Sequence, residues 1–243
     1  MIVPLLVAVL SIPPAHQPPQ PTLPDRPDTS VAGLPSRIAH DLRRLATHGP
    51  LISLAAGGGL AGAVHGGDAR VVHSLSASET VDDALDGGAV AGNGVTQVGA
   101  AVAVYAIGGL THNATVARLG SALVEAQAVN GLVTQGAKLA VQRRRPDGGR
   151  YSFPSGHTSA TFATADVLER TFGWKVGLPA YIGAAYVGAS RISERRHYLS
   201  DVAFGAAVGI ASSRSVVLHV RQHAVSAQPE FVKGGAGLLF VVR

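Results

Sequence analysis

The chain has 243 residues, 47% hydrophobic, 14% charged and 5% aromatic, enough for one domain with a buried core. It contains no cysteine, which excludes a disulfide framework, a thiol nucleophile and a thiolate metal site. Lys and Arg exceed Asp and Glu by 20 to 15, and the formal charge of +5 favours anionic partners; the basic groups at Arg143 to Arg145 and Arg191 to Arg196 lack interleaved aromatics, which argues against nucleic acid.

Ile2 to Leu10 form an apolar run followed by Ser11, Pro13, Pro14 and Ala15, so residues 1–15 read as a signal peptide or an N-terminal apolar segment. No Lys or Arg precedes the run, and an uncleaved anchor fits nearly as well. Residues 16–35 are rich in Pro, Asp, Gln and Thr and read as a linker. From residue 36 the apolar positions follow helical spacing, predicting helices near 36–47, 50–65, 68–77, 94–110, 114–142, 156–171, 175–190 and 198–218. Residues 36–218 are thus expected to form an all-α helical bundle, with 219–243 a tail containing a short strand. Leu45 to Gly67 and Gly87 to Ala117 lack Asp, Glu, Lys and Arg, and are the candidates for crossing a membrane. Glu125, Asp166, Glu169 and Arg214 lie inside later helices, each costing roughly 2.5–3.5 kcal/mol if it faced lipid, so a soluble or membrane-adherent bundle is favoured over an integral one.

Three clusters carry chemistry. Lys138 and Arg145, seven apart, can project from one face at a helix end, where Pro146 forbids more helix. Alone, they are better explained as cations decorating a helix C-terminus. In Pro154-Ser155-Gly156-His157, Ser155 is a good N-cap and Gly156 leaves the first N–H groups open to an anion. An ordinary capped helix with an exposed histidine would look the same. In the third, Ser190 and Arg191 precede His197 and Asp201; a carboxylate four residues on can accept from the ring Nδ1–H and leave Nε2 free as nucleophile or base. Arg191 then needs a turn through Ile192 to Arg196 to bring its guanidinium, a natural phosphate fork, back to the ring. A surface His–Asp pair is the bland alternative.

Taken in order on one chain, the three clusters resemble the signature of the type 2 phosphatidic acid phosphatase and vanadium haloperoxidase superfamily, K-x6-RP, PSGH and SR-x5-H-x3-D, at every position. The resemblance spans residues 138–201 by motif and extends over 36–218 by helix order. It implies a metal-independent phosphatase acting on a phosphomonoester or diphosphate, a lipid phosphate among the candidates. His197 would form a phosphohistidine with Asp201 orienting its ring, and His157 would serve as general acid and then base. Lys138, Arg145, Ser155, Gly156 and Arg191 would hold the phosphate oxygens, with no metal and no cofactor. The alternative the resemblance carries is a haloperoxidase with vanadate as cofactor; the short chain argues against it. A non-catalytic anion or lipid binder is disfavoured because both histidines are present. The family's bacterial members imply an extracytoplasmic site, periplasmic, secreted or membrane-bound. The particular ester and the oligomeric state stay open.

Overall fold

The structure is a computed structural model that describes residues 29–77, 79–218, 225–232 and 235–242. The expected signal segment and most of the linker lie outside the described residues. The architecture is the expected all-α bundle, built from α1 (Leu34–Arg44), α2 (His48–His65), α3 (Asp68–Ser76), α4 (Glu79–Leu85), α5 (Gly87–Ala91), α6 (Gly94–Leu110), α7 (Ala114–Val141), α8 (Gly156–Phe172), α9 (Trp174–Ser193) and α10 (Leu199–Ser215). Helices α4 and α5 were not expected. Gly87, Gly88 and Gly92 interrupt the apolar spacing there, and close packing explains them: a Cβ at Gly88 would lie 2.4 Å from the Ser190 Cβ. At the C-terminus a hairpin of β1 (Val225–Val232) and β2 (Gly235–Val242) replaces the single short strand expected.

Local chemistry explains the boundaries. Pro35 occupies the first turn of α1, where its missing N–H costs nothing. Asn93 and Asn113 cap α6 and α7: Asn93 Oδ1 accepts from the Val95 N–H at 2.8 Å, and Asn113 Oδ1 from those of Thr115 and Val116 at 3.1 and 3.2 Å. The 28-residue α7 ends where Gln142 takes the left-handed conformation, φ 50°. Helix α10 packs against α2, α8 and α7, and α7 packs against α6 and α8. The core between them is made of small residues, among them Ala126, Val129, Ala163, Val167, Val208 and Ala211.

That smallness sets how closely α10 approaches α8. A Cβ at Gly205 would fall 2.7 Å from the Ser155 carbonyl, and one at Gly209 only 2.2 Å from the Ser159 carbonyl. Glycine at these positions lets the start of α8 lie against the middle of α10, and the candidate cleft, lined by Gly156 and His157, opens beside that contact.

Away from the core, α2 exposes Leu51, Ile52 and Leu60, α6 exposes Val95, Val102, Ile107 and Leu110, and α9 exposes Trp174, Leu178 and Ile182. Among the described residues no single helix is long and apolar enough to cross a membrane; Asp83–Ala91 and Gly94–Leu110 reach that length only together, bent by 56°. The ionisable residues that weighed against spanning are mostly paired inside the bundle. Glu125 Oε1 accepts from Arg37 Nε at 2.8 Å and from Ser121 Oγ at 2.7 Å, and Asp166 Oδ1 accepts from the Tyr181 hydroxyl at 2.8 Å.

Candidate active site

Lys138 lies in the last turn of α7, where its buried Nζ donates to the Tyr151 carbonyl at 2.7 Å. Residues 142–155 then loop back and deliver Arg145 and the start of α8 to the same place. Lys138, Arg145, Gly156, His157 and His197 together line one cleft of about 340 Å³. The three motifs, well separated along the chain, thus meet at one end of the bundle.

His197 is held as a neutral ring with one tautomer. Its Nδ1 lies 2.6 Å from the Ser152 carbonyl oxygen, which can only accept, so Nδ1 carries the proton and Nε2 keeps its lone pair. Burial, then Lys138 and Arg145, push the His197 pKa down to about 2. His157, in the first turn of α8, is lowered to about 4 by burial and then by Arg191, Arg145 and Lys138. Lys138 itself falls to about 8, through burial and the neighbouring Arg145.

The expected Asp201–His197 hydrogen bond is not made. Asp201 Oδ2 stands 3.9 Å from Nδ1, beyond hydrogen-bonding reach, and the backbone carbonyl of Ser152 takes the proton instead. Asp201 acts one residue removed: its Oδ2 accepts from Ser152 Oγ at 2.5 Å and from the Tyr198 N–H at 2.9 Å. The carboxylate therefore fixes the residue whose carbonyl fixes the ring.

Ser155 also differs from expectation. It occupies the N-cap position of α8, but its side chain accepts from Thr158 Oγ1 at 2.9 Å rather than from a backbone N–H. Its own N–H donates to the Asp201 carbonyl at 3.0 Å and is not free for an anion. Gly156 lines the cleft and opens the first turn of α8, where helical N–H groups lack intrahelical acceptors.

The anticipated turn after Arg191 is present. The N–H groups of Arg196 and His197 both donate to the Arg191 carbonyl, at 3.0 and 3.1 Å, and Arg195 adopts φ 56° to close it. The Arg191 guanidinium lies near enough to His157 to lower its pKa, while pairing with Glu194 and Ser190. Among the described residues the buried Nε groups of Arg145 and Arg191 have no hydrogen-bond acceptor. Donors so placed beside two neutral imidazoles suit a compact, multiply charged oxyanion.

Sequence reasoning missed the support behind Asp201. Arg143, read there as one of a basic group, bridges two buried carboxylates: NH1 donates to Asp201 Oδ1 at 2.6 Å and NH2 to Asp68 Oδ2 at 2.8 Å. Its guanidinium also stacks 4.2 Å over the Tyr198 ring. Asp68 further accepts from the Ser200 N–H at 2.9 Å and the Ser200 Oγ at 2.5 Å, tying α3 to the start of α10. Arg143 lies within the first motif at a position its signature leaves free, and the local partner of Asp68, His65 Nδ1 at 3.2 Å from Oδ2, gives no sign of the contacts to Arg143 and Ser200.

Residues 147–224 match the family model of the PAP2 superfamily. Among curated proteins, the lipid A 1-phosphatase of Porphyromonas gingivalis is 42% identical over 86 residues, 34% of this chain and 19% of that protein. The probable diacylglycerol pyrophosphate phosphatase 1 of Schizosaccharomyces pombe is 39% identical over 74 residues, 25% of this chain and 26% of that protein. The chain thus spans about a quarter or less of the length of these relatives. Among solved structures, a transmembrane PAP2 type phosphatidylglycerolphosphate phosphatase from Bacillus subtilis superimposes with a TM-score of 0.60 at 20% identity, over 70% of this chain and 94% of that one. LpxE of Aquifex aeolicus gives 0.51 at 19% identity, over 60% and 92%. At these identities the two structures speak for the fold.

Proposed function

From the match of residues 147–224 to the PAP2 superfamily, we propose that the chain is a phosphoric ester hydrolase that cleaves a lipid phosphate through a phosphohistidine at His197. The observation that carries the reading is the convergence of Lys138, Arg145 and the two histidines on one cleft, with the Arg145 and Arg191 Nε groups lacking acceptors. His197 Nε2 attacks phosphorus, forming a P–N bond as the P–O bond to the leaving group breaks. Ser152 and Asp201 keep Nδ1 protonated and the ring aimed.

Burial and then the cations depress His157, and the negative charge of a bound phosphate acts against both; in the proposed reaction this ring holds a proton when substrate is bound and gives it to the departing alkoxide. His157 then takes a proton from water, which attacks phosphorus and releases inorganic phosphate and His197. Lys138, Arg145, Arg191 and the N–H groups at Gly156 hold the equatorial oxygens through both steps. These cations supply the charge stabilisation, and the proposed reaction needs no metal.

A lipid substrate suits the apolar faces of α2, α6 and α9, which fit association with a membrane. It also agrees with the names of the relatives, a lipid A phosphatase and a diacylglycerol pyrophosphate phosphatase. We place the site on the extracytoplasmic side, from the apolar run at Ile2 to Leu10 and the family resemblance.

The test is hydrolysis of an aryl phosphate by the purified full chain in excess chelator, with inhibition by vanadate and rapid-quench trapping of an acid-labile phosphoenzyme. Loss of activity on chelation, restored by a divalent metal, would overturn the mechanism. Halide-dependent peroxide consumption in the presence of vanadate would instead identify a haloperoxidase.

A further inference from the structure

Of the three cations in the motifs, Lys138 and Arg145 line the cleft with His157 and His197, whereas Arg191 is not part of its wall. The Arg191 guanidinium is nonetheless close by, since its charge lowers the pKa of the cleft-lining His157. Its position is set by a residue outside the motif signature, three places along the chain.

That residue is Glu194, at the C-cap of α9. Its carboxylate pairs with Arg191 NH2, and Oε1 also accepts from Ser190 Oγ at 3.1 Å. NH2 donates in turn to Ser190 Oγ at 3.1 Å, so carboxylate, hydroxyl and guanidinium close a triangle. NH2 and Nε share one edge of a guanidinium, the edge that can grip two oxygens of a phosphate at once. In Arg191 the NH2 of that edge is taken by Glu194, while the buried Nε has no acceptor among the described residues. A carboxylate thus occupies half of the fork that a phosphate would fill.

Glu194 has the attributes of a displaceable anion. Arg191 and Ser190 are buried, but the Glu194 side chain is 30% exposed and can turn into water when released. Arg196, two residues on, already has its own carboxylate, with NH1 3.0 Å from Asp147 Oδ2. A permanent brace would be buried with its arginine and would satisfy both donors of the edge. Glu194 does neither.

Resting on the phosphatase reading, in which Arg191 holds a phosphate oxygen, we propose that Glu194 is a latch on the Arg191 fork. It holds the fork in the ligand-free protein, and an oxyanion entering the cleft takes the fork from it. After turnover the returning carboxylate helps to expel inorganic phosphate. Glu194 is therefore a positioning residue, acting through Arg191. Binding of every oxyanion that uses Arg191 is weakened by one common factor, the ratio of latched to free fork. A single charge-assisted hydrogen bond sets that factor at roughly 10.

The test measures binding of inorganic phosphate to the full chain by its melting-temperature shift, and kcat and KM for an aryl phosphate, in the parent and in Glu194→Gln. The variant should bind phosphate roughly 10-fold tighter and lower KM by a similar factor, with kcat no higher than the parent's. In an Arg191→Ala background the same substitution should leave phosphate affinity unchanged, because there is no fork to free. Asp147→Asn removes a carboxylate beside the same turn but keeps the oxygen that accepts from the Gly149 N–H, and should change phosphate affinity by less than about 2-fold. Weaker or unchanged phosphate binding in Glu194→Gln overturns the latch. So does an equal gain in Asp147→Asn or in the Arg191→Ala background, either of which would trace the effect to diffuse charge. Glu194→Asp, one methylene shorter, should show the same gain in smaller measure, and it decides the question if Glu194→Gln fails to fold. Tighter phosphate binding by Glu194→Gln, with no hydrolysis of the aryl phosphate by any form, would refute the phosphatase reading and leave the latch standing.

Discussion

The Ser152 carbonyl oxygen, 2.6 Å from His197 Nδ1, orients the proposed nucleophile, and Asp201 reaches that ring only through the Ser152 hydroxyl at 2.5 Å. Ser152→Ala keeps the carbonyl but removes its tether to Asp201. It should lower kcat roughly 10- to 100-fold, because loosened orientation of a reacting group costs about that much. His197→Ala should abolish the phosphoenzyme altogether. Rapid-quench labelling of both variants checks the order, and an intermediate persisting in His197→Ala would remove that residue from the nucleophile's role.

His157→Ala should discriminate between leaving groups. An alkyl ester needs its departing oxygen protonated and should slow by about 100-fold or more, whereas a nitrophenyl ester, whose leaving group is stable as an anion, should slow much less. A plot of log kcat against leaving-group pKa would steepen in the variant. Parallel lines for variant and parent would count against His157 as the acid.

Alkaline pH should switch off substrate capture. Burial and Arg145 lower the Lys138 pKa to about 8, so the free protein loses this cation as pH rises through that value. The kcat/KM profile, which reports the free enzyme, should show a separate downward step above about pH 8, additional to the one His157 sets at lower pH. Lys138→Arg keeps its charge and should remove that limb, at some cost in maximal rate.

Stability, too, depends on the support behind the site. Replacing Arg143 by Met leaves Asp68 and Asp201 buried without their shared cation, and breaking such a pair costs about 3 kcal/mol. Asp68 has its pKa lowered in the fold despite its burial, through hydrogen bonds from Ser200 and Arg143, so its contribution is present above the unfolded carboxylate pKa and lost as pH falls through the folded one. Denaturant unfolding of Arg143→Met should accordingly differ most from the parent near neutral pH and converge with it in acid.

The site was legible in sequence where its chemistry is local. The seven-residue spacing of Lys138 and Arg145 and the turn between Arg191 and His197 are short-range constraints, and all four side chains arrive where those constraints send them. What pairing alone decides was not legible. Asp201 at four residues from His197 could have bonded the ring, yet the carbonyl of Ser152, distant in sequence, lies closer. Asp68 meets Arg143 and Ser200 only because α3 packs beside the start of α10, a tertiary fact with no trace in local spacing. The helices followed the same rule. Those with long apolar spacing were read, while α4 and α5, short and broken by glycine, depend on packing against α9.

Burial lowers the pKa of Lys138 and of Arg191, and Arg145 stands close enough to both to lower them further by repulsion. The bundle therefore carries an electrical tension at one end that any phosphate-like oxyanion relaxes, and binding there becomes a contribution to folding. By mass action an anion at 100 times its dissociation constant adds about 2.7 kcal/mol of stability. The melting temperature thus serves as a binding gauge that requires no turnover. Inorganic phosphate, vanadate and slowly cleaved esters can all be ranked on the intact protein by the heat it withstands.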